Sequence, residues 1–306
     1  MILVTGATGT VGGLVLARLP AGRAVRVLAR QPERVTAPHP SVEVVRGDYG
    51  DQASLERALQ GVSRVLLVTN PSADGDARFI RVARRAGVEH VVKLSAANVG
   101  DPLADDLITQ WQRRNEELLL SSGLAWTLLR PRSFMSNTLS WAPAIRAEGT
   151  VRALYGTFAS ACVDPRDVAE VAVRTLIEDG HEGRAYTLTG PEALSSADQT
   201  EQLGKALGLA LRFEELAPDQ ARSGLLQRYP EDVAEALLHS AHHLKCGAKA
   251  RVENTVFDVT GRAAGPFRAW AEDHTEAFAG GPAGAEPELS PGPPRRVVRR
   301  KRPLAR

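Results

Sequence analysis

The sequence predicts an α/β fold with a doubly wound parallel sheet and a small, mostly helical C-terminal cap. Short runs rich in Val, Ile and Leu alternate along the chain with helical patterns. The runs are apolar throughout, which is typical of strands that helices cover on both faces of a parallel sheet. A glycine-rich loop stands directly after the first run, where a helix begins. These three observations indicate the fold class.

Each element of this prediction follows from a local pattern. The predicted strands are rich in Val, Ile and Leu, and they span residues 1–5, 24–29, 42–46, 64–68, 91–94, 125–129 and 185–188. The predicted helices repeat apolar residues every three or four positions, and they span residues 11–19, 52–58, 73–86, 105–121, 165–177, 196–207, 231–243 and 267–278. We interpret residues 1–279 as one α/β domain with cap segments at about 138–160 and 194–279.

The composition is that of a globular protein. Of the 306 residues, 43% are hydrophobic and 24% are charged, and no run approaches the roughly 18 apolar residues of a membrane span. The first residues show neither a basic leader nor a small-residue cleavage site, so we expect a cytoplasmic monomer or homodimer that does not bind membranes. The two cysteines, Cys162 and Cys246, lack metal-ligand spacing, and no metal site is predicted.

The C-terminal segment differs in composition from the rest of the chain. Residues 280–306 are rich in Gly and Pro, and their last dozen positions hold seven basic residues. Such a segment cannot bury enough apolar area to offset its ordering entropy, so we predict a disordered tail. Without these basic residues the chain is slightly acidic, and the folded body is not expected to bind nucleic acid.

A glycine-rich loop joins the first strand to the first helix. It reads Gly-x-x-Gly-x-x-Gly over Gly6, Gly9 and Gly12. The first glycine permits a tight turn, the second lets the backbone approach a pyrophosphate, and the third allows close helix packing. A preceding strand and a following helix are the context that a dinucleotide site requires. The loop residues expected at the phosphates are Gly6, Thr8, Gly9, Thr10, Val11 and Gly12.

The end of the second strand indicates which dinucleotide is bound. An acidic residue there would bind the ribose 2′-hydroxyl of NAD and repel a 2′-phosphate. The strand closes instead with Arg30, and Arg34 follows four residues later. A guanidinium is planar and permanently charged, which suits a phosphate. The predicted cofactor is therefore NADPH.

Five segments of the chain resemble the NmrA-like branch of the atypical short-chain dehydrogenases/reductases. They are residues 5–12, 47–49, 129–137, 163–169 and 188–192. The likeness covers roughly residues 1–279, and it implies a Rossmann-type fold that binds NAD(P)H. The resemblance also implies cofactor contacts outside the glycine loop, with Asp48 and Tyr49 beside the adenine, Thr69 and Asn70 along the cofactor, and Pro131 and Phe134 near the nicotinamide.

The tyrosine and lysine that many members of the wider superfamily use as an acid pair are missing. Alignment with the family pattern puts Ile108 at the tyrosine position and Gln112 at the lysine position. Neither side chain can do acid–base work. Ser95, at the end of the fifth strand, stands where the superfamily keeps a serine that contacts the substrate carbonyl, and we expect that contact here. The other predicted substrate contacts are Asn98, Trp111, Gln112, Met135 and Asn137.

The resemblance implies an NADPH-dependent reductase that acts on a small molecule. Because no protein acid is predicted, the substrate or the solvent would supply the proton, which favours a conjugated or aromatic carbonyl such as a polyketide ketone or a quinone. The Ala- and Arg-rich composition is typical of high-GC bacteria, in which family members tailor aromatic polyketides for antibiotic biosynthesis. Two alternatives stay open: a non-enzymatic NADP-binding redox sensor that acts on a protein partner, and an isomerase or epimerase.

Overall fold

Parallel strands form the main sheet of the protein. The structure is a computed structural model that describes residues 1–69, 75–247 and 249–279. Its strands are β1 (Ile2–Thr5), β2 (Val25–Ala29), β3 (Val42–Arg46), β4 (Arg64–Leu67), β5 (His90–Leu94), β6 (Ala125–Pro131), β7 (Thr150–Ala153), β8 (Arg184–Leu188) and β9 (Arg212–Glu215). Seven of them form one parallel sheet in the order β3-β2-β1-β4-β5-β6-β8. The strand order reverses between β1 and β4, where ligands of such sheets bind.

Helices cover both faces of this sheet and build the cap. They are α1 (Thr10–Arg18), α2 (Gln52–Ala58), α3 (Gly75–Arg85), α4 (Leu107–Leu120), α5 (Ala142–Glu148), α6 (Pro165–Ile177), α7 (Ser196–Leu207), α8 (Pro218–Leu226), α9 (Glu231–His242), α10 (Thr255–Thr260), α11 (Phe267–Asp273) and α12 (Thr275–Ala279). The core on one face includes α1, α6 and α10, and the core on the other face includes α2, α3 and α4. None of the helices in the described ranges is long and apolar enough to cross a membrane.

Polar side chains begin several of these helices. Asp106 accepts a hydrogen bond from the Thr109 amide at 3.0 Å, and Asp51 and Asp164 cap α2 and α6 in the same way. Ser195 and Asp198 form a reciprocal capping box at α7. These caps satisfy amide groups that have no partner inside the helix. The predicted starts of these four helices agree with the structure to within two residues.

The cap has its own hydrophobic core, which centres on Trp270. This side chain is 1% exposed and stacks on Phe267 at 5.7 Å between ring centroids. The core also draws on α5, α7 and α12. A two-stranded parallel sheet, β7 with β9, belongs to the cap, and the sequence analysis missed it because its strands are short and largely polar. The helix predicted over 267–278 is broken at His274.

Candidate active site

The glycine loop has the shape of a dinucleotide cradle. Gly6 has a φ of +66°, and a Cβ added to it would lie 2.8 Å from the Val68 Cβ. A Cβ on Gly12 would lie 2.2 Å from the Gly6 carbonyl oxygen, whereas one on Gly9 would approach protein atoms no closer than 3.4 Å. Gly6 and Gly12 therefore shape the loop. The space beside Gly9 is open, as a pyrophosphate requires.

The first turn of α1 offers free amide donors to a phosphate. Gly9 is the N-cap residue and provides no side chain to cap the helix. The Gly13 amide donates to the Gly9 carbonyl at 2.9 Å. The amides of Thr10, Val11 and Gly12 precede this first helical hydrogen bond and have no partner within the helix. Thr8 and Thr10 are exposed beside them, while Val11 is buried and presents only its backbone. This arrangement fits an anionic ligand at a helix N-terminus.

Arg30 is available for a 2′-phosphate. It lies exposed just past β2, and its guanidinium makes neither a hydrogen bond nor an ion pair with any of the described residues. The neighbouring Arg34 differs, because it donates to the Gln31 side chain at 3.2 Å. No carboxylate occupies the end of β2, where it would repel a phosphate.

The residues expected along the cofactor lie at the carboxyl ends of β3 and β4. Tyr49 packs edge-on against Phe79, its hydroxyl donates to the Val68 carbonyl at 3.0 Å, and burial raises the pKa of this phenol. Asp48 is exposed and accepts from the Gly50 amide at 2.6 Å. Contact of Asp48 and Tyr49 with an adenine stays a prediction, and the Tyr49 hydroxyl is already engaged.

The Thr69 hydroxyl accepts from Lys93 at 3.4 Å. Asn70, the other residue predicted along the cofactor, falls outside the described residues, as does the predicted tail at 280–306. On the nicotinamide side, Pro131 ends β6, and Phe134 pairs with Val163 in an isolated bridge.

Ser95 differs from the sequence expectation. It is 5% exposed, and its hydroxyl donates to Glu116 Oε1 at 2.5 Å. Arg130 holds the same carboxylate through two bonds, Nε to Oε1 at 3.0 Å and Nη2 to Oε2 at 2.5 Å. Because the serine proton already satisfies a buried carboxylate, it is not free to donate to a substrate carbonyl in this arrangement. Ser95 instead ties the end of β5 to α4.

A buried ion pair lies beside this network. Lys93 is fully buried on β5, and its Nζ lies 2.7 Å from Asp76 Oδ2 on α3. The Lys93 Nζ also lies 5.5 Å from the centroid of the Trp111 ring. This pair was not among the predicted site residues. A lysine inside the apolar strand Val91–Leu94 indicates it nevertheless, because a buried charge needs a partner.

The predicted substrate residues do not all reach one site. Gln112 is 8% exposed, and its Oε1 is buried without a hydrogen-bond partner among the described residues. Asn98 donates to Ser240 of the cap at 3.4 Å, and Asn137 is exposed. Met135 is 1% exposed and packs in the cap core, and its contact with a substrate stays a prediction.

Two basic residues that the sequence analysis did not select lie near the end of β6. Arg132 follows the last residue of this strand, and its Nε is buried without a hydrogen-bond partner in the described part of the chain. Lys249 is 7% exposed and donates to Ser240. Lys249 lies in an irregular segment far along the chain, so no local pattern identifies it.

Comparison with known proteins agrees with this geometry. The sequence profile of the family described as NAD(P)H-binding matches residues 6–179. The chain belongs to this NAD(P)H-binding family. The match begins at the first glycine of the loop and includes Arg30, Ser95 and the whole of β6.

This NAD(P)H-binding protein is also similar to two characterised relatives and to one solved structure of another protein. It is 57% identical over 280 residues to a (4-alkanoyl-5-oxo-2,5-dihydrofuran-3-yl)methyl phosphate reductase of Streptomyces griseus subsp. griseus, covering 91% of this chain and 99% of the relative. It is 36% identical to an NAD(P)H azoreductase of Xenophilus azovorans, covering 91% and 99%. The structure of an NADPH-dependent quinone oxidoreductase from Escherichia coli, complexed with NADPH, superposes with a TM-score of 0.80 at 26% identity, covering 89% and 99%.

Several sequence predictions are thereby confirmed. The doubly wound parallel sheet is present, and the NmrA-like, NAD(P)H-binding assignment agrees with the family match and the relatives. The protein is an NAD(P)H-dependent oxidoreductase, as the reductases among its relatives show. The non-enzymatic sensor is correspondingly disfavoured.

Proposed function

We propose that this protein uses NADPH to reduce the ring double bond of a (4-alkanoyl-5-oxo-2,5-dihydrofuran-3-yl)methyl phosphate, a conjugated lactone that carries a phosphate. The observation that carries the proposal is the 57% identity to a reductase of that substrate over 99% of its length. The conjugated carbonyl predicted from the sequence is retained. The proposed substrate differs from the predicted one in its ring, which is an unsaturated lactone and not an aromatic polyketide or a quinone.

The chemistry of this substrate matches a site without a tyrosine–lysine pair. When bound, NADPH supplies a hydride. Ring carbon 3 accepts it, and the electron pair of the double bond moves to ring carbon 4. The charge there spreads over the lactone carbonyl and the alkanoyl carbonyl, and a proton from solvent then adds to carbon 4. Such a delocalised anion needs no strong protein acid, which agrees with Ile108 and Gln112 at the positions of that pair.

Gln112 is the side chain that best suits the developing oxyanion. The donor of its side chain is Nε2, which bonds to none of the described residues and is therefore free for a substrate oxygen, while the buried Oε1 also lacks a partner among them. It lies on α4 one turn before Glu116, which Ser95 and Arg130 hold in place. We propose that Gln112 donates to the substrate carbonyl and that Ser95 positions α4.

The test follows NADPH consumption with four acceptors. These are the furanone phosphate, the same furanone with a free hydroxymethyl group, a simple quinone and an azo dye. NADPH deuterated at the transferred position should label ring carbon 3 of the furanone product. Turnover of the quinone without turnover of the furanone would assign a quinone reductase instead. Bound NADPH with no turnover of any acceptor would favour the non-enzymatic sensor instead.

A further inference from the structure

An unpaired guanidinium lies at the carboxyl end of the sheet. Arg132 follows β6, the neighbour of the strand that leads to Ser95, and its backbone amide is fixed to the Leu188 carbonyl at 2.8 Å. Its Nε is buried and has no hydrogen-bond partner in the described ranges. Burial lowers the pKa of Arg132. A desolvated cation without a partner is costly, so this position calls for an anion.

A second buried cation faces the same region. The Lys249 ammonium donates to the Ser240 carbonyl at 2.5 Å and to the Ser240 hydroxyl at 2.9 Å, which leaves one of its three donors unused. Burial lowers the pKa of Lys249 to about 8, and the charge of Arg132 acts in the same direction. The two like charges therefore disfavour each other.

Backbone pairing brings these two residues together. The segment after β6 pairs with residues 160–163, because the Val163 amide donates to the Ser133 carbonyl at 2.9 Å. The Ala161 amide in turn donates to the Lys249 carbonyl at 2.9 Å. Arg132 and Lys249 thus flank one short segment, and the position of Lys249 is set by main-chain hydrogen bonds rather than by its side chain.

The carboxylates near this pair have other partners. Asp106 caps α4 through the Thr109 amide at 3.0 Å and the Thr109 hydroxyl at 2.7 Å. Glu253 accepts from Arg251 at 2.8 Å. Asp101, a third nearby carboxylate, accepts from the Leu103 amide at 3.0 Å. None of the three acids forms an ion pair with Arg132 or Lys249, so neither cation has a carboxylate partner among the described residues.

We propose that Arg132 and Lys249 bind the phosphate group of the substrate. The inference rests on the proposed function, which supplies a phosphomonoester next to the reducible bond. A planar guanidinium and a compact ammonium together provide the charge-assisted donors that phosphate oxygens accept. The pair lies at the carboxyl end of β6, beside Pro131, where the nicotinamide is predicted.

Kinetics with a matched pair of substrates test this subsite. Arg132→Gln and Lys249→Met should each lower kcat/KM for the furanone phosphate about tenfold to a hundredfold, the range expected for a lost charged hydrogen bond. They should change kcat/KM for the hydroxymethyl analogue by less than about threefold. Arg268→Gln, at an exposed arginine of α11, is the control and should behave as wild type with both substrates. Equal losses with both substrates would overturn the proposal.

A binding measurement separates this proposal from the proposed function. With NADP⁺ saturating the cofactor site, calorimetry measures the binding of inorganic phosphate to wild type, Arg132→Gln, Lys249→Met and Arg268→Gln. We expect the first two variants to bind more weakly and the third to match wild type. If that pattern appears while the furanone is not reduced, the subsite stands and the proposed function fails. If the furanone is reduced and neither variant changes its preference for the phosphate, the subsite is wrong and the function stands.

Circular dichroism and thermal melting show whether the variants fold. Arg132→Lys and Lys249→Arg keep the charge at each position and should recover part of the phosphate preference. A failure of both conservative variants to recover any preference, when the charge-removing variants fold, would also contradict the proposal.

Discussion

At the scale of single residues, we predict that Arg30 determines which dinucleotide the protein prefers. We expect Arg30→Ala to weaken NADPH binding about tenfold to a hundredfold, because a charge-assisted bond to the 2′-phosphate is lost. NADH binding should not change. Titration of NADPH and NADH into wild type, Arg30→Ala and Arg34→Ala measures these affinities. Arg34→Ala should weaken NADPH binding less than Arg30→Ala, because Arg34 already donates to Gln31. Equal affinities of wild type for NADH and NADPH would contradict the assignment.

Lys249 gives a second prediction at this scale, on stability against pH. Its pKa is about 8 in the folded protein and 10.5 as usual in an unfolded chain. Between pH 8 and pH 10.5 this lysine is protonated in the unfolded chain and largely deprotonated in the folded protein. The free energy of unfolding therefore rises with pH over this range, by up to about 3 kcal/mol. The charged and titratable groups that face it are Asp101, Asp106, Arg132 and Cys162.

Lys249→Met removes this contribution and leaves those four groups in place. Denaturant unfolding of wild type and Lys249→Met at pH 7 and pH 10.5 provides the measurement. The free energy of unfolding should increase more between pH 7 and pH 10.5 in wild type than in Lys249→Met. If the free energies of unfolding of the two proteins differ by the same amount at pH 7 and at pH 10.5, Lys249 has its ordinary pKa and the prediction is wrong.

At the scale of elements, we expect the glycines of the loop before α1 to have different roles, one in cofactor binding and another in stability. Gly9→Ala should weaken NADPH binding at least about tenfold while stability stays within about 1 kcal/mol, because the added methyl meets open space and not protein. Gly12→Ala should lower stability as well, since its methyl would meet the Gly6 carbonyl. Cofactor titration and denaturant unfolding of the two variants compare both effects. Normal NADPH binding by Gly9→Ala would make the loop structural only.

The contact between β5, β6 and α4 distinguishes a positioning serine from a general acid. Ser95→Ala should lower kcat by no more than about tenfold, whereas loss of a general acid costs about a hundredfold to ten-thousandfold. The pH profile of kcat should keep its shape. Glu116→Gln should lower stability more than Ser95→Ala, because it leaves the Arg130 guanidinium without its carboxylate. A thousandfold loss in a folded Ser95→Ala variant, about the size of a lost acid, would assign the proton to Ser95.

At the scale of the whole molecule, the cap and the cofactor half have separate cores. Trp270 packs in the cap, whereas Val11 and Val15 of α1 belong to a different cluster. Trp270→Ala should destabilise the protein by about 3–5 kcal/mol and lower kcat/KM for the furanone. NADPH affinity should change less than about threefold. Trp270→Phe is the milder control. A parallel loss of NADPH binding and turnover would show that the two halves act as one unit.

The sequence by itself determined the doubly wound sheet, the glycine loop and the arginine after β2. Each of these depends on a local pattern: apolar runs indicate strands, and a glycine-rich loop between a strand and a helix indicates a dinucleotide site. Only the tertiary structure decided that Ser95 donates to Glu116, that Met135 lies in the cap core and that Lys249 lies near Arg132. These facts depend on how irregular segments, distant along the chain, pack against the sheet, and no repeat in the sequence encodes that packing.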